Sequence, residues 1–302
     1  MEQVLTAVAD RWRALDPLLP VPRAPAAGQP TLPVPGAVGV LNQREPEAGA
    51  PPPMWFAQRW FSLRPLVADP DVGAGLDRLL TGWARQVAAP AGAAGADSAA
   101  YVYVPSRETA AFPALARHGL SPYVVIAARR AGHPTPVPGP AQIRQAGPAD
   151  LDAVAGLALT QARDEVAFGT AHDRPTASEQ VRAEAERVLA TPQRWVWLAE
   201  VDGRPVGLVT AAPPADTEWL APYTDLRPVA YLSVAYVDPA VRGAGVGAAL
   251  AAAAHAAFDA AGAAVALLHY GLLNPRSGPF WHRLGYRPLW TGWQARPAGT
   301  LR

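Results

Sequence analysis

The chain has 302 residues and contains no cysteine and no lysine, so all 26 of its basic residues are arginine. The lack of cysteine removes disulfides, thiolate metal sites and thiol nucleophiles together, and leaves chemistry to histidine, carboxylates, hydroxyls or the backbone. The lack of lysine removes the Walker loop, whose phosphate contacts need that side chain. A one-sided charge is missing as well. A net charge of +1 gives no field for a polyanion, which argues against nucleic acid or an anionic membrane as partner. The alanine-rich stretch 248–261 is interrupted by His255 and Asp259, and alanine partitions only weakly into lipid. The start, Met-Glu-Gln-Val-Leu-Thr with Asp10 soon after, lacks the basic start and apolar run of a signal peptide. His118, His133, His255 and His282 form no metal-ligand spacing, and no metal is expected. These absences together describe a cytoplasmic protein with a small-molecule partner.

The length predicts two domains of roughly 150 residues each. Ala-Gly-His-Pro-Thr-Pro-Val-Pro-Gly-Pro at 131–140 blocks both helix continuation and sheet pairing, so a linker is placed at 131–141, between domains at 1–130 and 142–302. After it, a strand at 142–144 and a helix opened by Pro148-Ala-Asp-Leu-Asp are followed by a helix at 176–189, with Thr176 or Ser178 as cap. Strands at 195–201 and 205–211 flank Asp202-Gly203, a favoured hairpin pair. A third strand at 229–237 stops at Asp238-Pro239, and Gly243, Gly245 and Gly247 lead into a helix at 248–261 that ends at Gly262. A strand at 265–270 and a short helix at 277–284 complete the alternation.

The chain also repeats itself. Asp-Pro-Asp-Val-Gly-Ala-Gly at 69–75, with the helical stretch 76–88, parallels Asp-Pro-Ala-Val-Arg-Gly-Ala-Gly at 238–245 and its helix. Ala-Phe-Pro-Ala-Leu-Ala-Arg-His-Gly at 111–119 parallels Pro-Phe-Trp-His-Arg-Leu-Gly at 279–285 in nearly the same offset.

The glycines at 243, 245 and 247 suit an anion site. They permit positive φ, bring successive N–H groups toward one point, and open a helix whose dipole is positive at that end. Arg242 keeps its charge and can fork two donors onto phosphate oxygens. Gly243-Ala-Gly245-Val-Gly247-Ala248 also fits a dinucleotide fingerprint, but Asp238-Pro239 breaks the strand too early and the next strand ends in His269-Tyr270 without the acid that motif requires.

Asp-Pro-x-x-Arg-Gly-x-Gly-x-Gly at the end of a central strand, then helix, strand and Asn274-Pro-Arg-Ser277-Gly-Pro-Phe-Trp281-His-Arg-Leu-Gly285-Tyr286, resembles the GNAT superfamily of acyl-CoA N-acyltransferases, as does the opening Ile143-Arg-Gln-Ala-Gly-Pro-Ala-Asp-Leu-Asp. The resemblance covers about residues 142–290, and the repeat extends it to a degenerate N-terminal copy. It implies an α/β (α+β) fold of two GNAT-like domains, each a mixed, mostly antiparallel central sheet with helices on both faces and a splayed pair of strands. It further implies an N-acyltransferase that uses acetyl-CoA or another acyl-CoA as co-substrate and a small-molecule amine as acceptor, acting as monomer or homodimer.

Carried over residue by residue, the resemblance gives the pyrophosphate to Arg242, Gly243, Ala244, Gly245, Val246 and Gly247, and the pantetheine arm to the backbone of Ala235, Tyr236 and Val237. One of those N–H groups would polarise the thioester carbonyl, while Asn274 and Ser277 match positions near the arm and the next helix. The catalytic candidates are His269, Tyr270 and Glu165, with His172, Tyr231 and Ser233 behind them. Trp281 stands where the family often has the tyrosine that protonates the leaving thiolate; Tyr270 and Tyr236 are the substitutes. Asp216, Glu218 and Asp225 make the loop after the second hairpin strand an attraction for a cationic amine, and Trp195, Trp197, Trp219, Tyr223, Trp290 and Trp293 offer aromatic walls. The N-terminal copy lacks the arginine and the last glycine and carries Asp77, so it is expected not to bind CoA. Mycothiol synthase, which shares a tandem arrangement at this length, and a non-catalytic acyl-CoA sensor remain the alternatives. A tRNA-dependent aminoacyl transferase is disfavoured by the near-neutral charge.

Overall fold

The computed structural model describes residues 1–47, 49–88, 95–133, 141–191, 193 and 195–302. The chain divides into two compact units: Met1–Ile126 with Tyr223–Asp225 and Pro288–Arg302, and Ala127–Pro222 with Leu226–Arg287. The strands and helices are mixed in both units, as expected, with the sheet of each largely antiparallel. Among the described residues no helix is long and apolar enough to cross a membrane, and no group of three or more potential metal ligands is found.

The first unit begins with α1 (Glu2–Leu15), then β1 (Thr31–Val34), β2 (Ala37–Arg44), β3 (Arg59–Val67), α2 (Val72–Ala88), β4 (Ser98–Pro105) and the short α3 (Phe112–Arg117). The chain crosses into the second unit within β5 (Ser121–Arg130). Pairing is antiparallel from β1 through β2 to β3 and parallel between β3 and β4. Helix α2 connects that parallel pair. Its Leu76, Leu79, Leu80, Trp83 and Val87 recur at helical spacing and are buried in one cluster with Leu63, Val102 and Val104 of the two strands.

The second unit contains β6 (Gln142–Gln145), α4 (Leu151–Ala167), α5 (Ala177–Leu189), β7 (Val196–Val201), β8 (Arg204–Ala212), β9 (Val229–Val237), α6 (Val246–Ala260), β10 (Val265–Gly271) and α7 (Ser277–Arg283). Strands β6 to β9 pair antiparallel in sequence, and β9 pairs parallel with β10. Asp202 and Gly203 take positive φ of 50° and 72°, the turn that a two-residue hairpin needs. Leu198 and Leu208 join Val154, Ala185 and Leu189 of α4 and α5 on one face. Gly207 faces the other way, where an added methyl would lie 2.9 Å from Leu250 of α6, so only glycine lets that helix settle on the sheet. Helices thus cover both faces.

The division of the chain differs from the sequence expectation at its end. Strand β11 (Arg287–Ala295) pairs antiparallel with β4, from Trp290 opposite Pro105 to Ala295 opposite Ala100, and takes residues 288–302 into the first unit. A strand joins whichever edge offers complementary N–H and C=O groups, and composition does not encode that choice. Strand β5 also runs to Arg130, up to the expected linker, of which residues 134–140 lie outside the described residues.

His255 of α6 is buried with its Nε2 3.1 Å from the Tyr286 hydroxyl, and burial holds its pKa down at about 3. The unfolded chain binds a proton there from about pH 6.5 downward while the folded protein does not, so stability falls as pH drops through that window, by about 1.4 kcal/mol per unit. Between pH 6.5 and 5 the wild type should therefore lose about 2 kcal/mol more than His255→Gln, as read from urea unfolding; parallel pH profiles would contradict it.

Candidate functional site

Strands β9 and β10 stay in register only from Val229–Val265 to Leu232–Leu268. Beyond that point β9 continues for five residues and β10 for three. The parting coincides with a bulge. Thr210 of β8 faces Val234 and Ala211 faces Leu232, which leaves Ser233 as the extra residue on β9 and bends that strand. The Asp238 N–H donates to Val206 O at 2.8 Å, toward β8. By alternation, Ala235 and Val237 direct their N–H and C=O groups into the gap. Of the three backbone positions singled out from the sequence, these two offer an edge to an extended ligand, whereas Tyr236 contributes its ring.

Past β9, the Asp238 carboxylate accepts the Ala240 N–H at 2.9 Å and ends the strand in a single tight turn. Gly243 and Gly245 follow with φ of 86° and 85°, and α6 starts at Val246 without any side-chain cap. Its first N–H groups thus point outward with the positive end of the helix dipole. An added methyl on Gly247 would sit 3.3 Å from the Phe280 ring, so this last glycine serves the packing of α7 beside the loop. Arg242 donates through Nε to Val237 O at 2.9 Å, holds its guanidinium 5.8 Å from the Tyr236 ring centre, and comes within 3.7 Å of Asp164 on α4.

These groups line a cleft of about 690 Å³. Ala235, Tyr236, Val237, Arg242, Gly243, Gly245, Val246, Gly247, Asn274 and Ser277 all border it; Ala244 alone of the expected binding residues does not. Trp281 is buried in its wall, edge-on to Phe280 and Tyr286. Glu165 borders it too. Its carboxylate accepts from Asn274 Nδ2 at 3.3 Å and from the Thr170 hydroxyl, and lies against Gly271, where an added methyl would be 3.0 Å from Oε2. The helix α4 also brings Gln161 and Asp164 to the cleft, which sequence reasoning missed. Spacing places 161, 164 and 165 on one helix face but does not say what that face meets.

The other two catalytic candidates lie elsewhere. His269 pairs through Nδ1 with the Tyr231 hydroxyl at 2.9 Å, stacks near Trp219, and is held by burial at a pKa of about 4, so it is neutral at pH 7 and a weak base. Tyr270 points to the opposite face, where its ring packs by Gly278 and its hydroxyl sits 3.1 Å from His282 Nε2; burial pushes the phenol up to about 12. His172 is buried and borders neither cavity.

A second cavity of about 290 Å³ opens at the bulge, bordered by Ser233, Tyr231, Trp219, Trp195, Asp216 and the paired Glu184 and Arg187. Of the three loop acids expected to attract an amine, only Asp216 is here. Glu218 is exposed outside the lining, and Asp225 belongs to the first unit, where it accepts the Val21 N–H at 2.6 Å. Tyr223, Trp290 and Trp293 are in that unit also, and Trp197 is buried.

In the first unit the corresponding turn repeats the Asp238 geometry, with Asp69 accepting the Asp71 N–H at 2.9 Å. Its charges differ. Asp69 pairs with Arg78, Asp71 accepts the Ala74 N–H at the start of α2, and Asp77 pairs with Arg117 and His118. The protein's own carboxylates occupy the end of that helix where an anion would bind.

A model described as the acetyltransferase (GNAT) family matches residues 159–286. None of the curated proteins matches the chain. Among solved structures, a GCN5-related N-acetyltransferase from Sphaerobacter thermophilus is 18% identical with a TM-score of 0.51, over 87% of this chain and 77% of that one. A GNAT-family acetyltransferase from Colwellia psychrerythraea is 11% identical with a TM-score of 0.54, over 97% and 96%. At such identities the likeness shows the fold.

Opposite effects are expected at the two charges of the loop. Arg242→Gln should weaken coenzyme A binding at least about tenfold, the loss of one charge-assisted contact. Asp164→Asn, which removes a like charge from the path of a diphosphate, should tighten it severalfold. Calorimetric titration reads both, and an unchanged affinity in Arg242→Gln would place the anion elsewhere.

Proposed function

Because residues 159–286 match the model of the acetyltransferase (GNAT) family, we propose that this chain transfers an acyl group, acetyl in the first instance, from coenzyme A to the amine of a small cationic acceptor. The observation that carries the reading is the edge of β9 at Ala235 and Val237, which has left the ladder with β10 and runs directly into the Arg242 loop, whose guanidinium already binds Val237 O. An acyl-CoA has the matching sequence of parts: a diphosphate for the loop, an amide-bearing arm for the strand edge, and a thioester beyond it.

The acceptor enters through the cavity at the bulge, where Trp219 and Tyr231 offer aromatic surface and Asp216 adds negative charge. An alkylamine is mostly protonated at pH 7 and must lose a proton before its nitrogen attacks. Glu165 takes that proton. It borders the cofactor cleft, is held by Asn274 and Thr170, and lies against the last residue of β10. The nitrogen then forms a bond to the thioester carbon, the carbonyl oxygen is stabilised by a β9 N–H, and the carbon–sulfur bond breaks with the electron pair leaving on sulfur. Coenzyme A departs as the thiol, its sulfur taking, through water, the second proton that the nitrogen sheds as the amide forms. Tyr231 borders the acceptor cavity in this scheme and His269 holds its hydroxyl from behind; neither moves the proton.

Thiol release from acetyl-CoA with a panel of small amines, with the product mass as second readout, tests the function; the chain adds no thiol of its own. Glu165→Gln should lower kcat by about 10²- to 10⁴-fold with little change in coenzyme A affinity. Asp216→Asn should raise the amine KM and spare kcat. Coenzyme A binding with no thiol release from any pairing would leave a non-catalytic acyl-CoA binder in place of an enzyme.

A further inference from the structure

Helix α4 turns Gln161, Asp164 and Glu165 toward the cleft. Two of these are engaged within the protein, Asp164 by Arg242 and Glu165 by Asn274 and Thr170. Gln161 is different: its Oε1 is buried and meets no hydrogen-bond donor among the described residues. A buried acceptor left in that state is destabilising, whereas an apolar side chain of the same shape would not be. Leucine or methionine would also suit the helix at least as well. The cost is explained if a donor arrives with the ligand.

The cleft narrows the choice of donor. Its anion end is marked by Arg242 and its far wall by the Ala235 and Val237 backbone, which takes an extended chain by its amide groups. We propose that Gln161 is a second, side-chain reader of that extended chain, its terminal amide accepting the N–H of a secondary amide in the arm that links diphosphate to thioester. The strand edge then binds the arm from one side and the helix from the other. A ligand with the same phosphates but no amide in its arm loses this contact, so Gln161 gives selectivity for the pantetheine arm over the nucleotide alone. The inference rests on the acyl-CoA reading of the cleft.

Gln161→Met removes the acceptor and keeps the side-chain length. Calorimetric titration with coenzyme A and with adenosine 3′-phosphate 5′-diphosphate, which has the phosphates and no pantetheine, separates the cases. Coenzyme A affinity should fall about tenfold in the variant while the nucleotide binds as in the wild type. The melting temperature of the ligand-free variant should be equal or higher, since no bond is lost; a purely structural glutamine would lower it. Equal coenzyme A affinity in both proteins, an equal loss for both ligands, or a raised amine KM with unchanged coenzyme A affinity would each overturn the assignment. Failure of the wild type to bind either ligand would instead remove the acyl-CoA reading itself.

Discussion

The unpaired backbone between β9 and β10 is the feature on which the rest depends. Two parallel strands that separate after Leu232 and Leu268 leave N–H and C=O groups without their ladder, a state that a folded protein sustains only where something else bonds them. The bulge at Ser233 makes the separation possible by lengthening β9 against β8. The same strand then delivers the chain, through Asp238, to Arg242 and the left-handed glycines before α6. An open strand edge, a cationic glycine turn and the Glu165 carboxylate thus follow one another along a single cavity wall because one strand runs past the end of its neighbour's pairing.

The first unit shows what this arrangement becomes when the charges are exchanged. It has the parallel pair β3 and β4, the connecting helix α2 and the same aspartate turn. At the start of its helix, however, Asp71 accepts the Ala74 N–H and Asp69 binds Arg78. A helix end already neutralised by internal carboxylates has little to offer a diphosphate. The expectation that this half does not hold coenzyme A rests on that electrostatics, since the backbone frame is common to both units.

Much of the second unit was legible from residue order. The Asp202-Gly203 hairpin, the strand ending at Asp238-Pro239, the glycine-led helix and the short helix before Gly285 are local signals, each fixed by turn chemistry or by the φ that glycine permits. The glycine turn before α6 was legible for the same reason, because a run of outward N–H groups is written in consecutive residues. The catalytic candidates were not equally readable. His269 and Tyr270 are neighbours in sequence but point to opposite faces of β10, one onto Tyr231 and the other under α7, and neither borders the cleft. Asp216 and Asp225 sit in one loop, and the fold places them in different units.

The sequence by itself determined the elements of the second unit, the glycine turn after Arg242 and a repeat of the aspartate turn and its helix in the first unit, because each is set by contacts between residues close in the chain. Only the tertiary structure decided that Gln161, Asp164 and Glu165 of α4 face the cleft, that the cavity beside Ser233 collects Asp216 and Trp219, and that β11 pairs with β4. Those outcomes turn on which helix face packs against which strand and which open edge a strand meets. Such choices are settled by the burial and hydrogen bonding of the folded whole.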